Sequence, residues 1–173
     1  MPKAWALWRL QLPRFILQKE FFSKLKKRGI SVKFVTLHVN LGTFAPLTTE
    51  NLKTKKLHSE FYFIDKETAQ FLNKAKKEGR PIIGVGTTVV RTLESATNKG
   101  NLKNLSGETN LFIQEKYKFK FINGMVTNFH VPKSSLLMLV SALTGRKKLL
   151  EIYQHATENK FRFYSFGDGM LIL

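Results

Sequence analysis

The sequence predicts an α/β fold, in which a mixed sheet carries flanking helices. Segments rich in β-branched and aromatic residues alternate along the chain with segments of helical periodicity. Several helical segments begin at a capping residue and end at a glycine, and 173 residues suffice to bury one core. We therefore expect a partial α/β catalytic-type domain over residues 19–173. Residues 1–18 are expected to be irregular, because Pro13 argues against one continuous helix there.

The elements of the first half are predicted from apolar spacing and from capping residues. In chain order they are a helix over residues 19–28 that ends at Gly29, a strand over 32–39, a loop over 41–46, a strand over 57–64, and a helix over 66–78 capped by Asp65.

The second half continues the alternation. It is predicted to contain a strand over residues 81–86, a helix over 87–96, a polar loop over 98–107, short strands over 111–114, 118–122 and 125–128, a helix from its cap Ser134 to Gly145, a helix over 147–160, and an extended aromatic segment over 161–166. Asn123 and Gly124 form a typical turn pair, which predicts a hairpin between the strands on either side.

The charge of the chain indicates the kind of partner. There are 29 Lys and Arg residues against 12 Asp and Glu residues, a net charge of +17. Such an excess suits a polyanion such as RNA, which would be attracted over several ångströms. A chain that uses lysine for solubility has the same composition, so charge alone leaves both interpretations open.

Other classes are disfavoured by composition. The chain has no cysteine, which excludes disulfides, thiolate metal sites and cysteine nucleophiles, and fits a cytoplasmic protein. Its four histidines are far apart, so we expect no metal site. No apolar run reaches the roughly 18 residues of a membrane span, and Arg9 interrupts any signal-peptide core.

A first candidate site lies at residues 82–95. Gly86 permits a sharp turn after a strand, and Thr87 and Thr88 offer hydroxyls and unpaired helix-start N–H groups. Arg91 follows one turn later. A carboxylate, a ribose or a phosphate would fit here. The alternative is a capped helix whose Arg91 pairs with Glu94 at the surface.

A second candidate site lies at residues 128–135, where a strand runs into a helix. Asn128, His130, Lys133 and Ser134 surround the predicted helix start, and a cation beside free N–H groups favours an anion. The alternative is structural: Ser134 only caps the helix, Lys133 is solvated and His130 packs.

Candidates for proton transfer are found elsewhere. His38 ends one predicted strand, and His58 and Glu60 begin another; histidine and glutamate are natural general bases, although a lone histidine in a strand is more often structural. Asp168 lies between two glycines and is either a turn residue or a functional carboxylate.

Five blocks of sequence resemble one family, the S-adenosylmethionine:tRNA ribosyltransferase-isomerases of queuosine biosynthesis. The resemblance runs from about residue 32 to residue 173 and is carried by LHVNLGTFAP, LHSEFYFI, VGTTVVRTLES, TNFHVPKSSLLMLVSAL and SFGDGMLIL. It implies transfer and isomerisation of the ribosyl unit of S-adenosylmethionine onto 7-aminomethyl-7-deazaguanine at the wobble position of tRNA. Epoxyqueuosine forms, and adenine and methionine leave.

The chain also departs from the family. It resembles the C-terminal half only, so the family's β-barrel domain is expected to be missing. A Pro-Thr-Ala-Gly-Leu-His-Phe motif does not precede residues 19–28, which suggests a different reading frame or a misplaced start. Asn40 and Ala45 stand where Gly and Arg are usual, and residues 114–116 replace a turn that contains proline. We expect a truncated form that is inactive by itself.

The resemblance implies roles for the candidate residues. The proton-transfer groups are expected among His38, His58, His130, Glu60 and Asp168. Thr87, Thr88 and Arg91 are expected to hold a methionine carboxylate or ribose hydroxyls. Lys133 and Ser134 are expected to hold a phosphate or the same carboxylate, and Asn128 is expected to bind substrate. Arg91→Ala is then expected to abolish turnover without unfolding the protein.

The implied partners are S-adenosylmethionine as co-substrate and tRNA carrying 7-aminomethyl-7-deazaguanine, with no metal, no membrane and a monomeric chain. Two other functions compete with this one. The first is a non-catalytic basic RNA-binding module, and the second is an unrelated S-adenosylmethionine binder.

Overall fold

A computed structural model describes residues 4–7, 19–39, 47–164 and 168–173 and confirms the α/β class. Its elements, in chain order, are β1 (Ala4–Leu7), α1 (Lys19–Lys27), β2 (Ser31–Phe34), β3 (Thr36–Leu37), α2 (Thr49–Thr54), β4 (Lys56–Phe63), α3 (Lys66–Lys77), β5 (Ile82–Val85), α4 (Thr87–Ala96), β6 (Thr97–Asn98), β7 (Asn101–Leu102), β8 (Ser106–Leu111), β9 (Gly124–Asn128), α5 (Ser135–Thr144), α6 (Arg146–Glu158) and β10 (Gly169–Ile172).

The strands form three sheets. The largest has the order β10-β9-β5-β1-β2, in which β10 is antiparallel to β9 and the other neighbours are parallel. The order β3-β4-β8 describes a second, antiparallel sheet, and β6 pairs with β7. Because four strands of the large sheet are parallel, their C-terminal ends lie together at one edge, hereafter the carboxyl edge.

Helix α4 occupies the core between the two larger sheets, against β5 on one side and β3 and β8 on the other. Val89, Val90 and Leu93 are fully buried. A Cβ atom at Gly84 would come within 2.8 Å of Val90 Cγ2, so glycine in β5 lets the helix approach the strand closely.

Glu94 anchors a segment that has no regular structure. Its buried carboxylate accepts hydrogen bonds from the main-chain N–H groups of Lys120 (2.8 Å), Phe121 (2.9 Å) and Ile122 (3.3 Å), and from the Tyr117 hydroxyl (3.1 Å). Burial and the neighbouring carboxylate raise the pKa of Tyr117. Because these N–H groups bind Glu94, residues 118–122 do not form the predicted strand.

The predicted hairpin at Asn123 and Gly124 is also wrong. Asn123 exchanges two hydrogen bonds with Ile82, one from its main-chain N–H (2.8 Å) and one to its side-chain oxygen (2.9 Å). These bonds align β9 in parallel with β5, and Gly124 begins β9. A Cβ atom at Gly124 would lie 2.4 Å from the main-chain oxygen of Ile172, so glycine here allows β10 to approach.

Other predictions are corrected in detail. The strand expected over residues 32–39 is divided at Val35 into β2 and β3, which belong to different sheets. The polar loop over 98–107 contains β6, β7 and the start of β8. Ala4–Leu7 forms β1 within the segment expected to be irregular, and the extended aromatic segment is followed by β10, which was not predicted. The loop over 41–46 and Pro13 lie outside the described residues.

The remaining helix predictions are confirmed, including the caps Asp65 and Ser134, whose side chains accept hydrogen bonds from the N–H groups of Thr68 and Leu137. Helix α2 was not predicted; Thr48 and Asn51 form a reciprocal capping box at its start. Within the described ranges, the longest helix has 13 residues, and none is long and apolar enough to cross a bilayer.

Glu94→Ala is expected to destabilise the protein by about 3 kcal/mol or more, because several buried donors lose a charged acceptor at once. Urea unfolding measures the loss. The matched control is Glu151→Ala, which removes a half-exposed carboxylate paired with the exposed Lys148 and is expected to cost less than about 1 kcal/mol. Equal losses for the two variants would contradict an anchoring role for Glu94.

Candidate functional site at the carboxyl edge

The carboxyl edge brings together the two sites predicted from the sequence. Strands β5 and β9 are parallel neighbours, with Val85 opposite Val126, and the Gly86 N–H donates to the Val126 carbonyl oxygen at 2.8 Å. The start of α4 and the connection from β9 to α5 therefore leave the sheet side by side. Residues 40 positions apart in sequence contribute to one surface.

The start of α4 has no side-chain cap. Gly86 is its N-cap, with φ of 91°, and makes no side-chain capping bond. A Cβ atom at Gly86 would meet nothing within 4 Å. Thr87 is buried and Thr88 partly buried. The first N–H groups of the helix thus lack a side-chain cap, which is an arrangement suited to an oxyanion.

Arg91 forms a buried ion pair with Glu60 and not with Glu94. Its Nη1 donates to Glu60 Oε2, and its Nε donates to the Leu111 carbonyl oxygen at 3.2 Å. Arg91 is 3% exposed and Glu60 is 1% exposed. Its Nη2 is buried without a hydrogen-bond partner. The structure therefore joins two predicted site residues inside the core, where the third guanidinium nitrogen is buried as well.

This burial also corrects an expectation about Arg91→Ala. The truncation would leave the Glu60 carboxylate in the core without its cation, and a buried charge that loses its partner is strongly destabilising. Loss of activity in that variant would therefore be accompanied by loss of stability.

His130 lies just beyond β9 and is held from two sides. Its Nε2 is 2.8 Å from Thr127 Oγ1, and its main-chain N–H donates to the Tyr153 hydroxyl at 2.7 Å. Burial lowers the pKa of His130 to about 4. The imidazole is consequently neutral at pH 7 and can accept a proton or a hydrogen bond there.

Ser134 has a structural role, whereas the neighbouring Lys133 is exposed. The Ser134 hydroxyl donates to the Val131 carbonyl oxygen at 2.8 Å and accepts from the Leu137 N–H at 3.2 Å, so its capping role is confirmed. Lys133 is exposed and has φ of 58°. The hydroxyl of Ser134 is thus already engaged, whereas the Lys133 ammonium faces solvent.

Asp168 and Asn128 meet where β9 and β10 pair. Asn128 lies opposite Gly169 in the ladder, and Asp168 precedes that glycine. The Asp168 carboxylate accepts hydrogen bonds from Arg162 Nη2 (2.7 Å) and from the Arg162 main-chain N–H (2.9 Å). Those hydrogen bonds lower the pKa of Asp168. Asp168 is therefore an anionic residue at the carboxyl edge that is paired with Arg162.

His38 and His58 do not join these groups. Both are exposed, and the His38 ring packs against the Phe61 ring at a centroid distance of 5.8 Å. Phe61 and Glu60 alternate between the exposed and buried faces of β4, so His38 lies on the opposite face of the sheet from Glu60. Among the described residues, no group of three or more metal-ligating side chains is found.

The sequence reasoning missed the aromatic residues that shape this edge. The Phe129 ring contacts those of Tyr153, Phe161 and Phe163 at centroid distances of 5.4, 5.9 and 4.9 Å. Tyr164 donates its main-chain N–H to the Phe129 carbonyl oxygen at 2.9 Å. The dense aromatic content of residues 161–166 was the available signal, but pairing them with Phe129 required the fold.

An α/β domain with an uncapped helix start and polar side chains at the carboxyl edge of its sheet belongs to the ligand-binding class of such folds. Comparison with known proteins identifies the family: the chain belongs to the queuosine biosynthesis protein family, whose sequence profile matches residues 15–172. This confirms the resemblance and extends it toward the N-terminus.

Individual relatives agree. The chain is 53% identical over 157 residues to an S-adenosylmethionine:tRNA ribosyltransferase-isomerase of Treponema denticola, and 52% identical over 155 residues to one of Carboxydothermus hydrogenoformans. These alignments cover 90% of the chain but 45% and 46% of the relatives, so the chain spans about half their length. A crystal structure of S-adenosylmethionine tRNA ribosyltransferase from Thermotoga maritima is 40% identical, with a TM-score of 0.75 over 90% of this chain and 50% of that one.

A double-mutant cycle tests the buried ion pair. Arg91→Met and Glu60→Leu are each expected to destabilise by about 3–5 kcal/mol, whereas the double variant should lose less than either single variant because no buried charge remains unpaired. Urea unfolding gives the coupling energy. The control is the exposed pair Lys148–Glu151, for which we expect coupling below about 1 kcal/mol. Additive losses at Arg91 and Glu60 would show that they do not interact.

The pH dependence of stability tests the environment of His130. Its folded-state pKa of about 4 lies below the ordinary value of 6.5, so the unfolded chain binds more protons between these pH values. Stability should therefore fall as pH drops through this window, by about 3 kcal/mol more in the wild type than in His130→Gln. Urea unfolding from pH 7 to pH 4 measures it, with exposed His155→Gln as control. Parallel profiles for wild type and His130→Gln would contradict a buried neutral imidazole.

Proposed function

We propose that this chain contributes the C-terminal part of a tRNA ribosyltransferase-isomerase of queuosine biosynthesis. That enzyme transfers and isomerises the ribosyl unit of S-adenosylmethionine onto 7-aminomethyl-7-deazaguanine at the tRNA wobble position. The products are epoxyqueuosine in tRNA, adenine and methionine. The observation that supports this most strongly is 53% identity to a relative of that name across 157 residues.

The carboxyl edge suits the donor molecule. S-adenosylmethionine carries a carboxylate and ribose hydroxyls, and the uncapped start of α4 offers N–H groups with the hydroxyls of Thr87 and Thr88 beside them. In this proposal the methionine carboxylate binds at the helix start, and Lys133 and Asn128 contact the substrate from the neighbouring connection.

Proton transfer is best assigned to His130. The reaction must remove a proton beside the sulfonium, and His130 is the candidate histidine at the carboxyl edge, with its Nε2 2.8 Å from Thr127 Oγ1. Glu60 is paired with Arg91, Asp168 is paired with Arg162, and His38 and His58 are exposed elsewhere. The sulfonium is already an activated leaving group, so the proposed chemistry requires no metal.

The alternative of a non-catalytic RNA-binding module is favoured by two observations. The net charge is +17, and the chain spans about half the length of its relatives. A module of this kind would bind tRNA with strong salt dependence, because each neutralised phosphate contributes roughly 0.7–0.9 to the slope of log affinity against log salt. Binding without turnover in any context would support it.

A chimera separates these possibilities. Residues 19–172 of this chain replace the matching segment of the Treponema denticola relative, and the protein is incubated with S-adenosylmethionine and tRNA carrying 7-aminomethyl-7-deazaguanine. We expect epoxyqueuosine by mass spectrometry of the digested tRNA, at a rate within about tenfold of the intact relative, because 53% identity should preserve the site. The 173-residue chain alone is expected to give none, since misplacement by about 1 Å can cost a hundredfold in rate.

Two outcomes would count against the proposal. A folded chimera that binds both substrates but forms no product would show that these residues do not support the reaction. Product from the chain alone at the rate of the intact relative would show that the remaining half of the relatives is dispensable. His130→Gln in an active chimera should lower turnover while leaving S-adenosylmethionine affinity unchanged.

A further inference from the structure

Tyr164 is held in an unfavourable conformation with its ring exposed. Its φ is 64°, in the left-handed region that a bulky side chain rarely adopts. The main chain is fixed on both sides: the N–H donates to the Phe129 carbonyl oxygen at 2.9 Å, and the carbonyl oxygen accepts from Asn128 Nδ2 at 3.3 Å. The residue is nevertheless 49% exposed. Strained backbone of this kind is retained where the surrounding structure over-determines it, which is common at binding sites.

Tyr164 contacts a cluster of aromatic residues on one side. Its ring lies 6.1 Å from that of Phe163, which in turn packs 4.9 Å from Phe129 and 5.6 Å from Tyr153. Tyr153 binds the main chain of His130 through its hydroxyl. The exposed ring is therefore part of a supported aromatic cluster beside the proposed catalytic histidine. A rigid aromatic ring can bind a flat partner with little loss of side-chain entropy.

The charges around Tyr164 favour a polyanion. Lys160 and Arg162 precede it and are exposed, and Lys133 is exposed on the connection that also carries His130. The carboxylate of Asp168 offsets the charge of Arg162, so Lys160 and Lys133 supply the excess positive charge near Tyr164. An exposed aromatic ring flanked by cations is the combination by which proteins hold single-stranded nucleic acid, in which bases stack and phosphates pair with the cations.

We propose that Tyr164 is a stacking platform for one unpaired base of an RNA bound at the carboxyl edge. The choice of RNA as the partner rests on the proposed function, whereas the platform itself rests on the geometry of Tyr164. An RNA base is favoured over the adenine of S-adenosylmethionine because small-molecule sites enclose most of their ligand, and this ring is half open to solvent.

The test measures RNA binding by the whole chain without S-adenosylmethionine. The probe is a 17-nucleotide anticodon stem-loop RNA with one loop base replaced by fluorescent 2-aminopurine, titrated at several salt concentrations. Tyr164→Ala is expected to weaken binding roughly 5- to 150-fold and to abolish the 2-aminopurine quenching that stacking causes. Tyr164→Phe should retain both. The matched control is Phe63→Ala, which removes a ring that is 47% exposed on the three-stranded sheet β3-β4-β8.

The salt dependence distinguishes stacking from charge contacts. Tyr164→Ala should leave the slope of log affinity against log salt unchanged, because no phosphate contact is lost, while Lys133→Ala should reduce it by roughly 0.7–0.9. Unchanged affinity and quenching in Tyr164→Ala would overturn the platform, as would an equal loss in Phe63→Ala. So would a loss of S-adenosylmethionine affinity with RNA binding intact. Circular dichroism checks the fold of each variant. Because turnover is not measured, failure of the proposed reaction would leave this result standing.

Discussion

Burial of helix α4 between the two larger sheets is the constraint on which the other features depend. A helix in the core can carry charged side chains only when their charges and hydrogen bonds are satisfied inside the protein. Arg91 meets this requirement by pairing with Glu60 of β4, and Glu94 by accepting the N–H groups of residues 120–122. The two residues project from one helix toward different elements, so α4 connects the three-stranded sheet to the irregular segment that leads into β9.

The same helix determines where a ligand can bind. Its first turn opens at the carboxyl edge, and the pairing of β5 with β9 places the connection to α5 next to it. Asp168 immediately precedes β10 at the same edge. Asn128, at the end of β9, binds the main chain of Tyr164 there. The edge thus combines an uncapped helix start, a neutral imidazole, exposed cations and a supported aromatic ring. This set of groups matches two kinds of ligand. One is a donor that carries a carboxylate and a ribose, and the other is a polyanionic acceptor.

Membership of the queuosine biosynthesis protein family and coverage of about half its relatives have to be considered together. The residues that form the carboxyl edge lie within the matched region. The side chains of Phe61 and Phe63, on the three-stranded sheet, are about half exposed. The aligned segment covers 45% and 46% of two curated relatives, so more than half of each lies outside it.

Much of the local structure follows from the sequence because its causes are local. Asp65 and Ser134 cap helices through bonds to residues three positions away, and such signals are visible in any window of sequence. The blocks around Arg91 and His130 also identified the family without a structure. The pairing of Arg91 with Glu60, however, joins residues 31 positions apart, and the obvious local partner Glu94 was the wrong choice. Likewise, Asn123 and Gly124 have the composition of a hairpin turn, yet they begin a strand because Ile82 and Ile172 approach them from distant segments. Local preferences are worth fractions of a kilocalorie per mole, whereas burial of a charge or of a strand is worth several, so tertiary packing decided the partners of Arg91, Glu94 and Asn123.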